Sequence, residues 1–191
     1  MSEQQEQEQR NVTPTIGVLG TGGIAVALAT MFARAGHEVR LDGRHEDVVA
    51  ESSIVIPAAL GVPGAVQQLR PWRAGLRGKI LVDITNPFTG GHVDFVGPWA
   101  TGGTTDLAAA FPEARLVGAF KSVWWETFTG TADPSVPDIH VISDDLEAKR
   151  TFLDLCTPTP FTYTDGGGLD QARRVERMAL RGVGSAGVLA A

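Results

Sequence analysis

The sequence predicts an α/β protein: a doubly wound, mainly parallel sheet followed by a short C-terminal helical segment. Two observations carry this. Short apolar runs alternate with helix-like stretches along the chain, the pattern of strands joined by crossover helices. A glycine-rich turn also separates the first such run from the first helix, inside a β-α-β unit.

The first run, Thr15 to Leu19 (TIGVL), is apolar as a strand buried on both faces should be. It passes through Gly20-Thr21-Gly22-Gly23-Ile24 into Ala25 to Ala35, Ala-rich, apolar almost all round and read as a buried helix. Gly36 is placed to cap that helix, and His37 to Leu41 reads as the second strand. Ser53 to Pro57 (SIVIP) and Lys79 to Ile84 (KILVDI) are further strands, with a helix or helical turn over Gly64 to Trp72 between them. Only the eight residues His45 to Ser52 separate Arg44 from the third strand, so an edge strand and its crossover helix are expected to be trimmed or missing. Later strands are expected at Leu116 to Phe120 and Ile139 to Ile142, and helices at Thr105 to Ala110 and Leu146 to Cys156. Gly166, Gly167 and Gly168 then open a helix-like segment, Leu169 to Arg181, whose Leu169, Ala172, Val175 and Ala179 fall on one stripe. The last ten residues are small and apolar, suited to packing on a partner subunit or to fraying.

Composition narrows the function classes. The chain has 191 residues, 43% hydrophobic and 20% charged, as a soluble globular protein does, and is long enough to bury a core without staples. Its net charge of −6 argues against a nucleic-acid binder, which needs clustered Lys and Arg. The single cysteine, Cys156, leaves no internal disulfide framework and no cysteine-built metal site. His37, His45, His92 and His140 have no spacing suited to a metal. No apolar run approaches the roughly 18 to 20 residues that span a bilayer. Residues 1–13 read as a disordered polar tail and 14–191 as one domain; a cytoplasmic setting is expected.

The strongest chemical signal is Gly20-x-Gly22-x-x-Ala25 between strand and helix. The first glycine allows the tight turn, the second lets the backbone approach a pyrophosphate, and the small third residue lets helix and strand pack closely. The diphosphate would sit on the free N–H groups of the helix N-terminus. The end of the second strand should choose the nucleotide. Asp42 lies 20 residues after Gly22, where a carboxylate binds ribose hydroxyls and favours NAD. Arg44 suits a 2′-phosphate and favours NADP, the expected cofactor. Val82-Asp83-Ile84-Thr85-Asn86-Pro87 ends a strand with polar groups at the sheet's C-terminal edge, where ligands bind in open α/β sheets. There the Asn86 amide could face a nicotinamide. Lys121 follows the run LVGAF to the same edge and is the candidate catalytic residue, as a substrate-binding group or proton donor. Trp124 and Trp125 follow, one of them a candidate pocket wall for a flat ring. Cys156, on an apolar helical face, reads as inert core.

These segments, with GR after the second strand, GKILVDITNP, LVGAFKS and a terminal ARRVERMAL, resemble the coenzyme F-420-dependent NADP oxidoreductase family. They are also similar to the cytosolic reductase domains of the six-transmembrane metalloreductases. The resemblance runs from Thr15 to about Arg181. It implies a small Rossmann-type domain, often a homodimer, that binds NADP and passes a hydride directly between nicotinamide and a deazaflavin or flavin ring. It implies that Gly20, Thr21, Gly22, Gly23 and Ile24 hold the diphosphate and Arg44 the 2′-phosphate. Pro57 and Ala58 would lie along the nicotinamide ribose, and Asn86 near the nicotinamide. The chain departs from the family in having Gly43 before the arginine, Lys121 where asparagine or histidine is usual, and a short stretch after Arg44. Two other expectations stand beside direct hydride transfer: an NADPH-dependent imine, enone or ketone reductase using Lys121, and a non-catalytic NADP-sensing module.

Overall fold

The computed structural model describes residues 14–41, 44–58, 61–86, 103–123 and 138–183. Its centre is a seven-stranded sheet in the order β2-β1-β3-β4-β5-β6-β7. The strands are β1 (Ile16–Leu19), β2 (Val39–Leu41), β3 (Ile54–Pro57), β4 (Ile80–Asp83), β5 (Arg115–Gly118), β6 (Ile139–Ile142) and β7 (Tyr163–Gly167). The first five pair in parallel, β6 runs antiparallel to β5, and β7 is parallel to β6. Two apolar layers hold the sheet. One joins it to α1 (Gly23–Arg34) and α5 (Leu146–Cys156). The other covers the opposite face with α2 (His45–Glu51), α3 (Gly61–Leu69), the 3-10 turn Arg70–Leu76 and α4 (Gly103–Ala110). Burial on both faces is why β1, β3 and β4 are apolar without alternation.

Helix α1 buries Ala25, Ala27, Leu28, Ala29, Met31 and Phe32, while Val26 is 47% exposed. It is therefore a covering helix with one outward flank, not the wholly buried one its composition suggests. Gly36, at φ +89°, turns the chain out of it as expected, a conformation that a Cβ disfavours.

The stretch after Arg44 corrects one expectation and upholds its companion. Among the described residues no strand lies outside β2 in the sheet, but the crossover helix is present as α2. A seven-residue helix is only about 10 Å long, yet it carries the chain from β2 past β1 to β3. It lies close because Gly17 of β1 has no side chain: a Cβ there would come within 2.8 Å of Val48 Cγ1 and 2.5 Å of Ser52 Oγ.

The glycine cluster near the C-terminus is a second correction. Gly166 and Gly167 end strand β7, and only Gly168 leads into the 3-10 turn Leu169–Gln171 and helix α6 (Ala172–Val183). A Cβ on Gly166 would meet Ile142 Cγ2 at 2.8 Å, so glycine here lets β7 approach β6. Along α6, Ala172, Val175 and Ala179 are buried as the stripe predicts. Residues 1–13, Asp42, Gly43, His92, Trp124, Trp125 and the last eight residues lie outside the described residues.

Candidate active site

Strand β1 has β2 on one side and β3 on the other, so successive connections leave in opposite directions at its C-terminal end. Such a switch point opens a crevice, and the glycine turn stands on it. Gly20 adopts φ +139°, and a Cβ there would lie 3.2 Å from the Ala58 carbonyl oxygen and 3.5 Å from the Ala25 methyl. Gly20 is therefore required by both backbone conformation and space. Gly22 is not. Its φ is −75°, and nothing lies within 4 Å of where its Cβ would be. It is the N-cap of α1, no side chain caps the helix, and its first turn has no acidic residue. Thr21, Gly22 and Gly23 are exposed and Ile24 half-buried. Helix α1 thus presents uncapped N–H groups beside open space, which suits an anion approaching the backbone.

Of the other expected nucleotide residues, Pro57 and Ala58 adjoin this turn. The Ala58 N–H donates to the Leu19 carbonyl at 2.8 Å, and Pro57 pairs with Leu19 across the ladder, so the end of β3 forms the wall opposite the turn. Arg44 follows β2 with its side chain 79% exposed and, among the described residues, paired with Asp47 at 3.1 Å. Exposure leaves its guanidinium free to turn to a phosphate, since a surface ion pair of this kind is worth little. A groove of about 780 Å³ runs along α1 from Thr21 and Gly23 to Arg34, walled by Pro158, Pro160 and Phe161. It adjoins the turn but includes none of Arg44, Pro57, Ala58 or Asn86.

The ends of β4 and β5 hold a different construction. Lys121 lies just beyond the end of β5, as expected, but its side chain is wholly buried rather than presented at the edge. Phe120 explains the turn inward. It has φ +59°, a costly conformation for an aromatic residue, and its ring is held edge-on against Phe32, Phe152 and Tyr163 at 6.1–6.3 Å between centroids. The Lys121 ammonium then meets Asp83 Oδ2 at 2.7 Å, the Thr85 carbonyl, and Glu176 Oε1 at 3.5 Å. The first two are hydrogen bonds and the third is an ion pair. Asp83 Oδ1 accepts from the Thr85 N–H at 2.8 Å and from its hydroxyl at 2.7 Å. Glu176 also accepts from the Gly103 N–H at 2.9 Å, at the start of α4, and faces Arg173 at 3.4 Å. Burial pushes the Glu176 carboxyl above its ordinary range, while the Lys121 ammonium, the Gly103 N–H and Arg173 pull it back.

Asn86 follows immediately and is half-buried; its Nδ2 donates to the Lys121 carbonyl at 3.3 Å. Its Oδ1 is buried and accepts from no group among the described residues. The sequence reading had not singled out Asp83, Thr85 or Glu176 as site residues. Asp83 was visible as a carboxylate ending an apolar strand. Glu176 lies four residues after Ala172 and three before Ala179, on the buried stripe of α6. A carboxylate in such a stripe signals a buried partner. Cys156 is buried, and burial raises its thiol pKa, as inert core requires. Among the described residues no group of His, Cys, Asp and Glu could hold a metal, and no helix is long and apolar enough to cross a membrane.

Known proteins share this architecture. The chain is 26% identical over 185 residues to human metalloreductase STEAP2, matching 87% of this chain and 36% of that protein. It is 26% identical over 196 residues to the F420-dependent NADP reductase of Methanothermobacter thermautotrophicus, covering 83% of each. The chain is homologous to these reductases. It spans about a third of the length of the metalloreductase and most of the length of the F420-dependent enzyme. In fold it matches a candidate F420-dependent NADP-reductase from Arthrobacter sp. FB24, with a TM-score of 0.74 at 23% identity, over 86% of this chain and 90% of that one. No family model matches the chain. The Rossmann-type sheet expected from the sequence is therefore present, with its C-terminal helix, and the relatives are oxidoreductases by name.

Proposed function

We propose that the protein is an NADPH-dependent oxidoreductase that passes a hydride between the nicotinamide and a deazaflavin of the F-420 type or a flavin. The observation that carries this reading is Gly22: neither φ nor any protein neighbour calls for glycine there, yet it caps a helix whose free N–H groups face open space. A diphosphate lying against the backbone is what would require it. Arg44, exposed at the end of β2, supports NADP over NAD, because a guanidinium pairs with a 2′-phosphate. The homologous reductases support the same cofactor.

The bound nicotinamide would supply or accept the hydride. The chain's own work is then positioning: the glycine turn binds the diphosphate, Arg44 holds the 2′-phosphate, and Asn86 orients the ring end. Direct hydride transfer between two rings depends on such placement more than on an acid or base. The surroundings of Lys121 support this reading over an imine or ketone reductase, because its ammonium is already engaged by the Asp83 and Glu176 carboxylates and the Thr85 carbonyl.

Calorimetric titration with NADPH and NADH, followed by spectrophotometric assay of NADPH with the oxidised deazaflavin coenzyme, tests the proposal. The expected outcome is tighter binding of NADPH than of NADH, and bleaching of the deazaflavin. Binding without turnover of any deazaflavin or flavin would overturn the acceptor and favour a sensing module or a metabolite reductase. Binding of neither nucleotide would leave the glycine turn as scaffold.

A further inference from the structure

We propose that Glu176, on the C-terminal helix, is a positioning residue for Asn86. Acting through Lys121, it holds the Asn86 amide so that its free oxygen accepts an N–H from the carboxamide of the bound nicotinamide. The inference rests on the dinucleotide reading above.

One chain of contacts links Glu176 to Asn86. A carbonyl oxygen can only accept, so the contact between the Lys121 carbonyl and Asn86 defines which amide atom is Nδ2. The other atom, Oδ1, is then a buried acceptor with no partner among the described residues. A buried acceptor left bare is costly, and a ligand N–H would satisfy it. One support of Asn86 runs through the Lys121 ammonium and the other through the carbonyl of the same residue. That ammonium binds the Thr85 carbonyl and Asp83, which together hold the backbone just before Asn86. The same residue's carbonyl receives the Asn86 amide, its direction set by the turn at Phe120.

Of the three acceptors around the ammonium, two belong to the β4 end, and Glu176 comes from α6. Glu176 is itself anchored by the Gly103 N–H and Arg173. It therefore ties the C-terminal helix to the ring end of the site. Stability alone does not explain such a cluster, because buried ion pairs are commonly no more stable than apolar side chains in their place.

The test compares two ligands, NADPH and 2′-phospho-ADP-ribose, which lacks only the nicotinamide. Asn86→Ala and Glu176→Gln should each weaken NADPH binding by up to about tenfold, the worth of one hydrogen bond. Both should leave 2′-phospho-ADP-ribose binding unchanged. The double variant should bind NADPH no more weakly than either single variant, since both changes remove the same contact. Lys121→Met/Glu176→Gln removes one charge of each sign and should show the same selective loss, so the inference does not depend on Glu176→Gln folding. Equal losses for both ligands, additive losses, or wild-type NADPH affinity in the charge-balanced variant would overturn it. Wild-type protein that binds neither ligand would instead overturn the dinucleotide reading, and this inference with it.

Discussion

The two ends of the candidate site are built in opposite ways. At the glycine turn, residues 20–25 do the work themselves: backbone N–H groups face open space, and the nearest side chains are small. At the β4 and β5 ends, Asp83, Lys121 and Glu176 lie 38 and 55 positions apart and meet as wholly buried side chains. The first arrangement leaves a place for an anion's charge. The second sets two carboxylates against the Lys121 ammonium and Arg173 out of solvent, with the neutral Asn86 amide beside them. A phosphate can be recognised by backbone alone, whereas a neutral ring carboxamide needs a side chain held at a set angle.

The largest expected effect tests whether the buried cluster is a charge-balanced unit. Lys121→Met leaves the Asp83 and Glu176 carboxylates buried without the ammonium, and should lower unfolding stability by about 3–5 kcal/mol in urea titration. A loss below about 1 kcal/mol, typical of surface pairs, would show that the cluster is not the buried unit described. The glycine turn should separate stability from binding. Gly20→Ala, which must adopt positive φ against the Ala58 carbonyl, should cost about 1–3 kcal/mol of stability. Gly22→Ala should leave stability within about 0.5 kcal/mol, yet cost nucleotide binding about 1.5–3 kcal/mol in calorimetry, because the added Cβ would hold the phosphate off the backbone N–H groups and weaken their charged hydrogen bonds. If Gly22→Ala binds NADPH normally, the open space there is not the diphosphate site.

Arg44→Ala sharpens the same contrast, because its side chain is exposed and forms a surface pair with Asp47. Its denaturation midpoint should match wild type, while the preference for NADPH over NADH falls by about tenfold or more. The smallest effect belongs to the opposite end of β5. There Arg115 meets Asp145 at 2.7 Å, and the Asp145 carboxyl is lowered from its ordinary 3.8 to about 2, chiefly by that contact and then by the Ala148 N–H. Because the folded-state pKa is depressed, the stabilisation is fully present above the ordinary aspartate range and is lost as the pH falls toward about 2. Asp145→Asn keeps an N-cap but loses the charge, so it should cost about 0.5–1 kcal/mol at neutral pH and flatten the acid limb of a stability profile. An unchanged acid limb would remove Asp145 as its source.

Legibility in the sequence followed the range of the interactions. The strand Ile139–Ile142 and the helix Leu146–Cys156 have the boundaries their apolar patterns predict. Strand β7 was hidden, because its Asp165-Gly166-Gly167 has the composition of a turn, and only the approach of Ile142 makes glycine suitable for a strand there. Helix α2 was hidden for a related reason: the space it needs over β1 is supplied by Gly17, a residue that local pattern assigns to a strand and nothing more. Lys121 was placed at the right edge and given the wrong surroundings, because the inward turn is made at Phe120 by an aromatic cluster drawn from α1, α5 and β7.

What the sequence determined by itself was the parallel α/β plan, the glycine turn, and the order in which Arg44, Ala58, Asn86 and Lys121 reach one edge of the sheet. All of these depend on periodicity and on residues near one another in the chain, where side-chain direction follows from the element alone. Tertiary structure decided which polar groups would be buried together. It turned Lys121 inward, set Glu176 of the last helix against it, and left the Asn86 oxygen bare. Those outcomes depend on packing between elements far apart in the chain, because a buried charge is tolerable only where its partners also arrive.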